Sequence, residues 1–252
     1  MISEVIMLSD IMASKINKPE LIHGGKRLDG RKADELREIK IEAGVLRNAN
    51  GSAYLEWGKN RIIAAVYGPR EVVPKHFADP NAAIIKCRYS MAPFSSLEEH
   101  GRSGQNRRAI EISKVIKEVF ENVVLLNEYP NSEIDIFMEV LQSDGSTRAA
   151  CINAAAVALA SAGIPMKDMV YGVSVGKVDG EICVDVDMLE DNYSDADMPL
   201  AISHRDDRIL LLQMDGDMSN EEVRRGFDMA VVAGKKIKEL QREALLAVYK
   251  GV

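Results

Sequence analysis

The sequence has few cysteines and no excess of positive charge. Its three cysteines, Cys87, Cys151 and Cys183, are far apart and no two form a CxxC pair, so neither a zinc knuckle nor a disulfide framework is indicated. Reduced thiols among apolar neighbours are the expected state. The net charge of −7 excludes a protein that binds nucleic acid over its whole surface. Any contact with nucleic acid must therefore use positive charge concentrated in one place.

The sequence also lacks long apolar runs. None approaches the ~20 residues that a membrane-spanning helix needs. The first dozen residues are fairly apolar, but Glu4 and Asp10 interrupt them and no basic leader comes first, which is not the pattern of a signal peptide. The expected location is therefore cytoplasmic, without a membrane partner.

Length and composition allow a substantial core. The chain has 252 residues, of which 46% are apolar, and this suffices for one large α/β domain or two closely joined lobes. We expect residues 1–25 to form an N-terminal arm and residues 26–252 to form the folded domain. Two lobes of that domain would cover about residues 26–165 and 166–252.

The order of strand and helix patterns predicts an α/β (α+β) fold in which a mixed sheet is backed by helices. The predicted strands cover about residues 39–41, 53–55, 62–66, 83–91, 134–141, 171–177, 182–186, 199–203 and 209–214. The predicted helices are an amphipathic one from residue 107, an alanine-rich one that ends near residue 162, and a long C-terminal one up to about residue 249. Ser219 and Glu222 form a capping box that starts the last helix. Polar loops are predicted at residues 95–106 and 190–197.

The strongest local pattern is a strand-to-helix junction with the sequence DGSTR at residues 144–148. A helix N-terminus presents unpaired N–H groups and about half a positive charge. Gly145 permits close backbone approach, and Ser146 and Thr147 add hydroxyl donors. Arg148 offers a planar fork that suits phosphate oxygens. These residues indicate an anion site, with ordinary helix capping as the alternative, and the spacing of a P-loop is absent.

Two further groups of positive charge precede this junction. Arg102, Arg107 and Arg108 form the first group, and the adjacent Arg107 and Arg108 open the amphipathic helix, where arginine opposes the helix dipole unless an anion sits in front of it. A solvated helix end is the alternative. Arg70, Lys75 and His76 lie in a proline-marked loop, where they suit a phosphodiester backbone or simply the protein surface.

The acidic loop at residues 190–197 has the sequence EDNYSDAD between apolar strands. Asp191 and Asp197 flank it, and the loop can fold both carboxylates towards one point. Paired carboxylates suit either a general acid with a raised pKa or a Mg²⁺ site. The lack of the central glycine and of the closing glutamate argues against an EF-hand. A solvated acidic turn is the alternative.

Six short motifs follow one another along the chain. They are RLDGR at 27–31, YGPR at 67–70, NRRAIE at 106–111, LQSDGSTR at 141–148, VGKVDG at 175–180 and EDNYSDADMP at 190–199. In sequence and order they resemble the RNase PH family of phosphorolytic exoribonucleases, and within it the catalytic ring subunits of archaeal exosomes. The resemblance implies the RNase PH fold, which is ribosomal protein S5 domain 2-like, as the fold of the catalytic domain.

The resemblance also implies an activity and roles for individual residues. Members of the family degrade RNA from its 3′ end with inorganic phosphate, release nucleoside diphosphates, and add tails in the reverse reaction. The residues implied to bind phosphate are Arg108, Gly145, Ser146, Thr147 and Arg148. Asp191 and Asp197 are implied to be catalytic, either with Asp191 protonating the departing 3′ oxygen or with both holding Mg²⁺. Those implied to contact RNA are Arg70, His76 and Arg107.

The implied partners follow from the same resemblance. In archaeal complexes the active subunit alternates with an inactive RNase PH-like subunit in a trimer of heterodimers, RNA-binding cap subunits lie on one face, and the substrate is a single-stranded 3′ end. One alternative is a homohexameric RNase PH that trims tRNA. Another is a non-catalytic scaffold subunit, which Asp191 and Asp197 disfavour because the inactive partner characteristically lacks them. Hydrolysis is a third alternative, but it would leave the predicted anion site without a purpose.

Overall fold

The structure, a computed structural model, describes residues 19–96 and 107–250. Residues 1–18 of the expected arm lie outside the described residues, as do residues 97–106 of the expected loop, including Arg102. The strands are β1 (Ile22–His23), β2 (Lys26–Arg27), β3 (Ile39–Ala43), β4 (Gly51–Trp57), β5 (Asn60–Glu71), β6 (Ile84–Met91), β7 (Ser132–Gln142), β8 (Val170–Val178), β9 (Glu181–Val184), β10 (Ala196–Ser203), β11 (Ile209–Leu212) and β12 (Asp215–Gly216). The helices are α1 (Arg107–Val123), α2 (Thr147–Ser161), α3 (Met188–Tyr193) and α4 (Asn220–Lys250).

The longer strands form two sheets. In the first sheet the order is β3-β4-β5-β7-β6, with β6 parallel to β7 and the other pairs antiparallel. In the second sheet the order is β11-β10-β8-β9, all antiparallel, and β12 also pairs with β10. The predicted mixed sheet backed by helices is therefore confirmed, together with a second, antiparallel sheet.

Helix α2 lies between the two sheets and contacts both of them. Its many alanines have small side chains, which let the sheets approach closely. A Cβ atom at Gly51 of β4 would lie 2.2 Å from the carbonyl oxygen of Ala158, and one at Gly172 of β8 would lie 2.6 Å from that of Ala149. Only glycine fits at either contact. The prediction of a slim helix against a sheet is confirmed, and it applies on two sides.

The other long helices also contact both sheets. Helix α1 contacts β6 of the first sheet and β11 of the second, while α4 packs on β3, β8 and β9. The predicted capping box begins α4, since the Ser219 N–H donates to Glu222 Oε2 at 2.7 Å and the Glu222 N–H donates to Ser219 Oγ at 3.3 Å. Among the described helices, none is long and apolar enough to cross a membrane.

The acidic segment at residues 190–197 was predicted to be a loop, and the structure corrects this. Residues Met188–Tyr193 form the short helix α3, and β10 begins at Ala196. Asp187 starts the helix, because its Oδ1 accepts hydrogen bonds from the N–H groups of Leu189 and Glu190, both at 2.9 Å. Glu190 completes the capping box by accepting from the Asp187 N–H. Asp191 therefore lies on helix α3, and Asp197 lies on the strand β10 that follows it.

Candidate active site

The DGSTR junction lies where β7 leads into α2. Ser146 is the N-cap residue, with a left-handed φ of 58°, and its hydroxyl donates to the carbonyl oxygen of Val186 at 2.6 Å. Gly145 has a φ of 70°, and a Cβ atom there would lie 2.4 Å from the carbonyl carbon of Asp187. The junction is thus packed against the backbone that leads into α3. Gly145 supplies close approach as predicted, but to the chain's own backbone.

A cavity of about 50 Å³ opens at the N-terminus of α2. The predicted site residues that line it are Arg108, Ser146, Thr147, Arg148, Asp191 and Asp197. The fold therefore brings the predicted anion site and the predicted acidic pair to one place. Gly145 supports this cavity from behind, through its contact with Asp187.

Sequence reasoning missed four further lining residues, Ile112, Ala149, Ser174 and Pro199. Ile112 follows Arg108 by one helical turn, and Pro199 follows Asp197 by two residues on the same face of β10, so spacing alone contained both signals. Ser174 faces Pro199 across the pairing of β8 with β10. That register depends on tertiary structure, and no local pattern marks Ser174.

Two arginines supply positive charge to the cavity. Arg108 is exposed at the start of α1, and Arg148 is mostly buried at the start of α2. The Nη2 atom of Arg148 donates to Glu111 Oε2 at 3.0 Å. Its Nε atom is buried and has no hydrogen-bond partner among the described residues. A buried unpaired donor costs roughly 1–3 kcal/mol, and an anion in the cavity would remove that cost.

Asp191 on α3 and Asp197 on β10 face the same cavity. Burial raises the pKa of Asp191, while Arg108 and Arg148 oppose the shift. Burial and then the charge of Asp191 raise the pKa of Asp197 to about 7, against the opposing effect of Arg148. A pKa of about 7 means that about half of the Asp197 carboxyl groups carry a proton at neutral pH. Its Oδ1 atom is buried without a hydrogen-bond partner among the described residues.

Comparison with known families agrees with this arrangement. The first domain of the 3′ exoribonuclease family, of RNase PH type, matches residues 35–165, and the second domain matches residues 168–233. The chain belongs to this RNase PH family. It is a phosphorolytic 3′-to-5′ exoribonuclease, and inorganic phosphate is its co-substrate.

Similar proteins cover almost the whole chain. Exosome complex component Rrp41 of Archaeoglobus fulgidus is 56% identical over 236 residues, which are 92% of this chain and 91% of that protein. The Rrp41 component of Thermoplasma acidophilum is 52% identical over 235 residues, 93% of this chain and 94% of that one.

Solved structures confirm the RNase PH fold. Rice Rrp46 superposes with a TM-score of 0.78 at 26% identity, covering 87% of this chain and all (100%) of that one. A chain of the Archaeoglobus fulgidus exosome with RNA bound to the active site superposes with a TM-score of 0.73 at 21% identity. The superposition covers 94% of this chain and 97% of that one.

Behind the cavity of this RNase PH-family chain, Arg37 joins the two segments that carry its reactive groups. Its Nη2 donates to Asp185 Oδ1 at 2.6 Å, and its Nη1 donates to the carbonyl oxygen of Asp144. The indole N–H of Trp57 donates to Asp185 Oδ2 at 2.8 Å. Arg37 therefore ties the DGSTR junction to the backbone before α3.

The RLDGR motif has a related structural role. Arg27 is buried and donates from Nε to Glu190 Oε1 of α3 at 2.6 Å and from Nη1 to the carbonyl oxygen of Val184 at 2.7 Å. Arg31 donates to the carbonyl oxygen of Asp185 at 3.0 Å. The motif therefore anchors the acid-bearing helix from behind.

The residues expected to contact RNA are not among those that line the cavity. Arg70, at the end of β5, forms ion pairs with Glu133, at 3.1 Å, and with Asp135. The ring of His76 lies beside that of Phe77, with centroids 4.2 Å apart, in an exposed turn. Arg107 is the exposed first residue of α1.

Proposed function

We propose that this chain is the catalytic subunit of an archaeal-type exosome ring, which degrades RNA from the 3′ end by phosphorolysis and extends it from nucleoside diphosphates in reverse. The observation that carries the proposal is the cavity in which two arginines and a helix N-terminus face two aspartates. The Rrp41 relatives, which are exosome components by name, support the assignment to an exosome.

The positive groups would hold the attacking phosphate against the negative charge of the RNA. Arg108, Arg148 and the N–H groups at the start of α2 would hold it in line with the last phosphodiester. An oxygen of inorganic phosphate forms a bond to that phosphorus while the bond from phosphorus to the 3′ oxygen of the preceding nucleotide breaks. The terminal nucleotide then leaves as a diphosphate. The hydroxyl groups of Ser146 and Thr147 line the same space.

The departing 3′ oxygen needs a proton, and we assign it to Asp197. The pKa of this carboxyl group is raised to about 7 by burial and by Asp191, so about half of these groups carry a proton at neutral pH. In this assignment Asp191 acts through its charge, which keeps Asp197 protonated. The assignment departs from the sequence-based expectation, in which Asp191 donates the proton.

Mg²⁺ is a second candidate role for the same pair. Mg²⁺ is commonly held by one or two carboxylates together with substrate phosphates and water. Asp191 and Asp197 would provide the carboxylates, and the buried, unpartnered Oδ1 of Asp197 is a suitable donor. Among the described residues, no group of three or more His, Cys, Asp or Glu side chains is arranged to hold a metal. The ion would stabilise negative charge on the reacting phosphates.

RNA would reach the cavity along Arg70, His76 and Arg107, in contact with the phosphate backbone. Arg70 would exchange its carboxylate partners, Glu133 and Asp135, for phosphate oxygens. We further propose that an inactive RNase PH-like subunit alternates with this chain in a trimer of heterodimers that carries RNA-binding caps. The proposed division into lobes of residues 26–165 and 166–252, preceded by an arm at 1–25, is close to the two matched domains.

We place this assembly in the cytoplasm. Cys87, Cys151 and Cys183 are free, and burial raises the pKa of all three thiols, that of Cys183 to about 11. Unreactive, reduced thiols suit a reducing compartment.

The test is to incubate the chain, alone and with its ring partner, with 5′-labelled single-stranded RNA and Mg²⁺, with and without phosphate. We expect shortened RNA and nucleoside diphosphates only when phosphate is present, and loss of activity with intact RNA binding in Asp191→Asn. Monophosphates released without phosphate would overturn the proposal in favour of hydrolysis. Inactivity even with the partner would favour a scaffold subunit, and activity of the chain alone would favour a homohexameric RNase PH.

A further inference from the structure

Arg148 is held by Glu111, the last residue of the NRRAIE motif, for which the sequence indicated no role. Its Nη2 atom donates to both carboxylate oxygens of Glu111 on α1, at 3.0 and 3.3 Å. Gln213, between β11 and β12, donates from Nε2 to Glu111 Oε1 at 2.9 Å. Three side chains from separate parts of the fold therefore form one hydrogen-bonded chain that ends at the cavity.

This arrangement fixes the direction of the guanidinium group. The group is planar, so a bond at Nη2 from a carboxylate also sets where the Nε–H points. That Nε–H is buried and unpartnered among the described residues, and Arg148 lines the cavity. Glu111 thus occupies one corner of the guanidinium and leaves another donor for a ligand.

Stability alone is a weak reason for the pair. The Glu111 side chain is 43% exposed, and exposed ion pairs contribute only about 0–1 kcal/mol. The neighbourhood of Arg148 gives a stronger reason, because Asp191 and Asp197 line the same cavity and attract its charge. Without Glu111, these aspartates would be competing partners, and an ion pair with one of them would remove Arg148 from the anion site.

We propose that Glu111 and Gln213 are positioning residues that orient Arg148 towards inorganic phosphate and hold it away from the catalytic aspartates. The inference rests on the proposed role of Arg148 as a phosphate ligand. Neither residue touches the reacting atoms, so their effect acts through Arg148 and concerns phosphate rather than RNA.

The experiment measures phosphorolysis by the assembled complex over a range of phosphate concentrations and, separately, of RNA concentrations. In Glu111→Ala we expect KM for phosphate to rise on the order of tenfold, as for loss of a residue that orients a ligand, while KM for RNA is unchanged. Glu111→Gln weakens the bond from Glu111 to Arg148, and Gln213→Ala removes the bond from Gln213 to Glu111. Each variant should raise KM for phosphate about threefold. Glu118→Gln is the matched control, because Glu118 lies on the same helix in an exposed pair with Lys114 at 3.9 Å.

A double mutant tests the route of the effect. In an Arg148→Lys background, which has no planar fork to orient, Glu111→Ala should change KM for phosphate less than about twofold. An unchanged KM in all three single variants would overturn the inference, and a lower KM would mean that Glu111 competes with phosphate. Equal losses in kcat and in both KM values would indicate a merely structural role and also overturn it. Phosphate-independent degradation by the wild-type complex would instead refute the proposed function itself.

Discussion

Asp197 gives the most direct test of the electrostatics of the cavity. Asp197→Asn keeps the shape of the side chain and removes its titrating proton. Between the ordinary value of 3.8 and the raised pKa of about 7, the folded chain binds more protons at this group than the unfolded chain. The contribution of this group to the free energy of unfolding is therefore fully present below pH 3.8 and is lost as the pH rises through 7. The difference between the two pKa values corresponds to about 4 kcal/mol. We expect an effect on the free energy of unfolding of about 2–4 kcal/mol, because the group is only partly buried.

Urea unfolding of the purified chain at pH 5 and pH 8 measures this effect. At pH 8 we expect Asp197→Asn to be about 2–4 kcal/mol more stable than the wild type, with a smaller difference at pH 5. Its phosphorolysis should nevertheless fall about 10²- to 10⁴-fold, as for loss of a general acid. Asp228→Asn, exposed on α4, is the control that should leave both properties unchanged. Equal stability at pH 8 together with retained activity would refute both the raised pKa and the assigned role.

Two further variants test the support behind the cavity. Gly145→Ala should lower stability by about 2–4 kcal/mol in urea unfolding, because its Cβ would meet the Asp187 backbone at 2.4 Å. Gly163→Ala, with a similar φ of 72° and nothing within 4 Å, should cost only about 1 kcal/mol, and equal losses would contradict the steric argument. Arg37→Lys keeps the charge but loses the fork between Asp185 and Asp144, so unfolding should show a loss of about 2–3 kcal/mol and the rate assay a lower kcat. Unchanged stability and kcat would mean that Arg37 does not hold the site together.

Elements with a local chemical cause could be predicted from the sequence. Ser219 and Glu222 begin α4 as expected, since both partners of a capping box lie within one turn. The alanine-rich helix formed as expected for the same kind of reason, high propensity along a continuous stretch. Helix α3 was missed although Asp187 and Glu190 form the same type of box, because its six residues are too few to show a helical period in the sequence.

The candidate site was predictable in its residue types and only partly in its geometry. Local patterns marked Arg148, Asp191 and Asp197, and the resemblance to RNase PH grouped them. The cavity contains all three. Ser174 gave no such signal, and Glu111 belonged to the NRRAIE motif without an assigned role, because their roles depend on how β8 pairs with β10 and how α1 packs beside α2. Such contacts join residues far apart in the chain, and spacing does not encode them.

The same cavity explains why an acidic chain can serve an anionic substrate. Its wall contains a buried donor, Arg148 Nε, and a buried oxygen, Asp197 Oδ1, and neither has a partner among the described residues. Such groups destabilise a fold, and here the ion pairs of Arg37 with Asp185 and of Arg27 with Glu190 hold the surrounding segments in place despite that cost. Phosphate would satisfy the donor, and a proton or a metal ion would satisfy the oxygen. Affinity for the anion therefore comes from a few fixed groups rather than from the charge of the whole chain. The net charge of −7 therefore does not prevent the anion from binding.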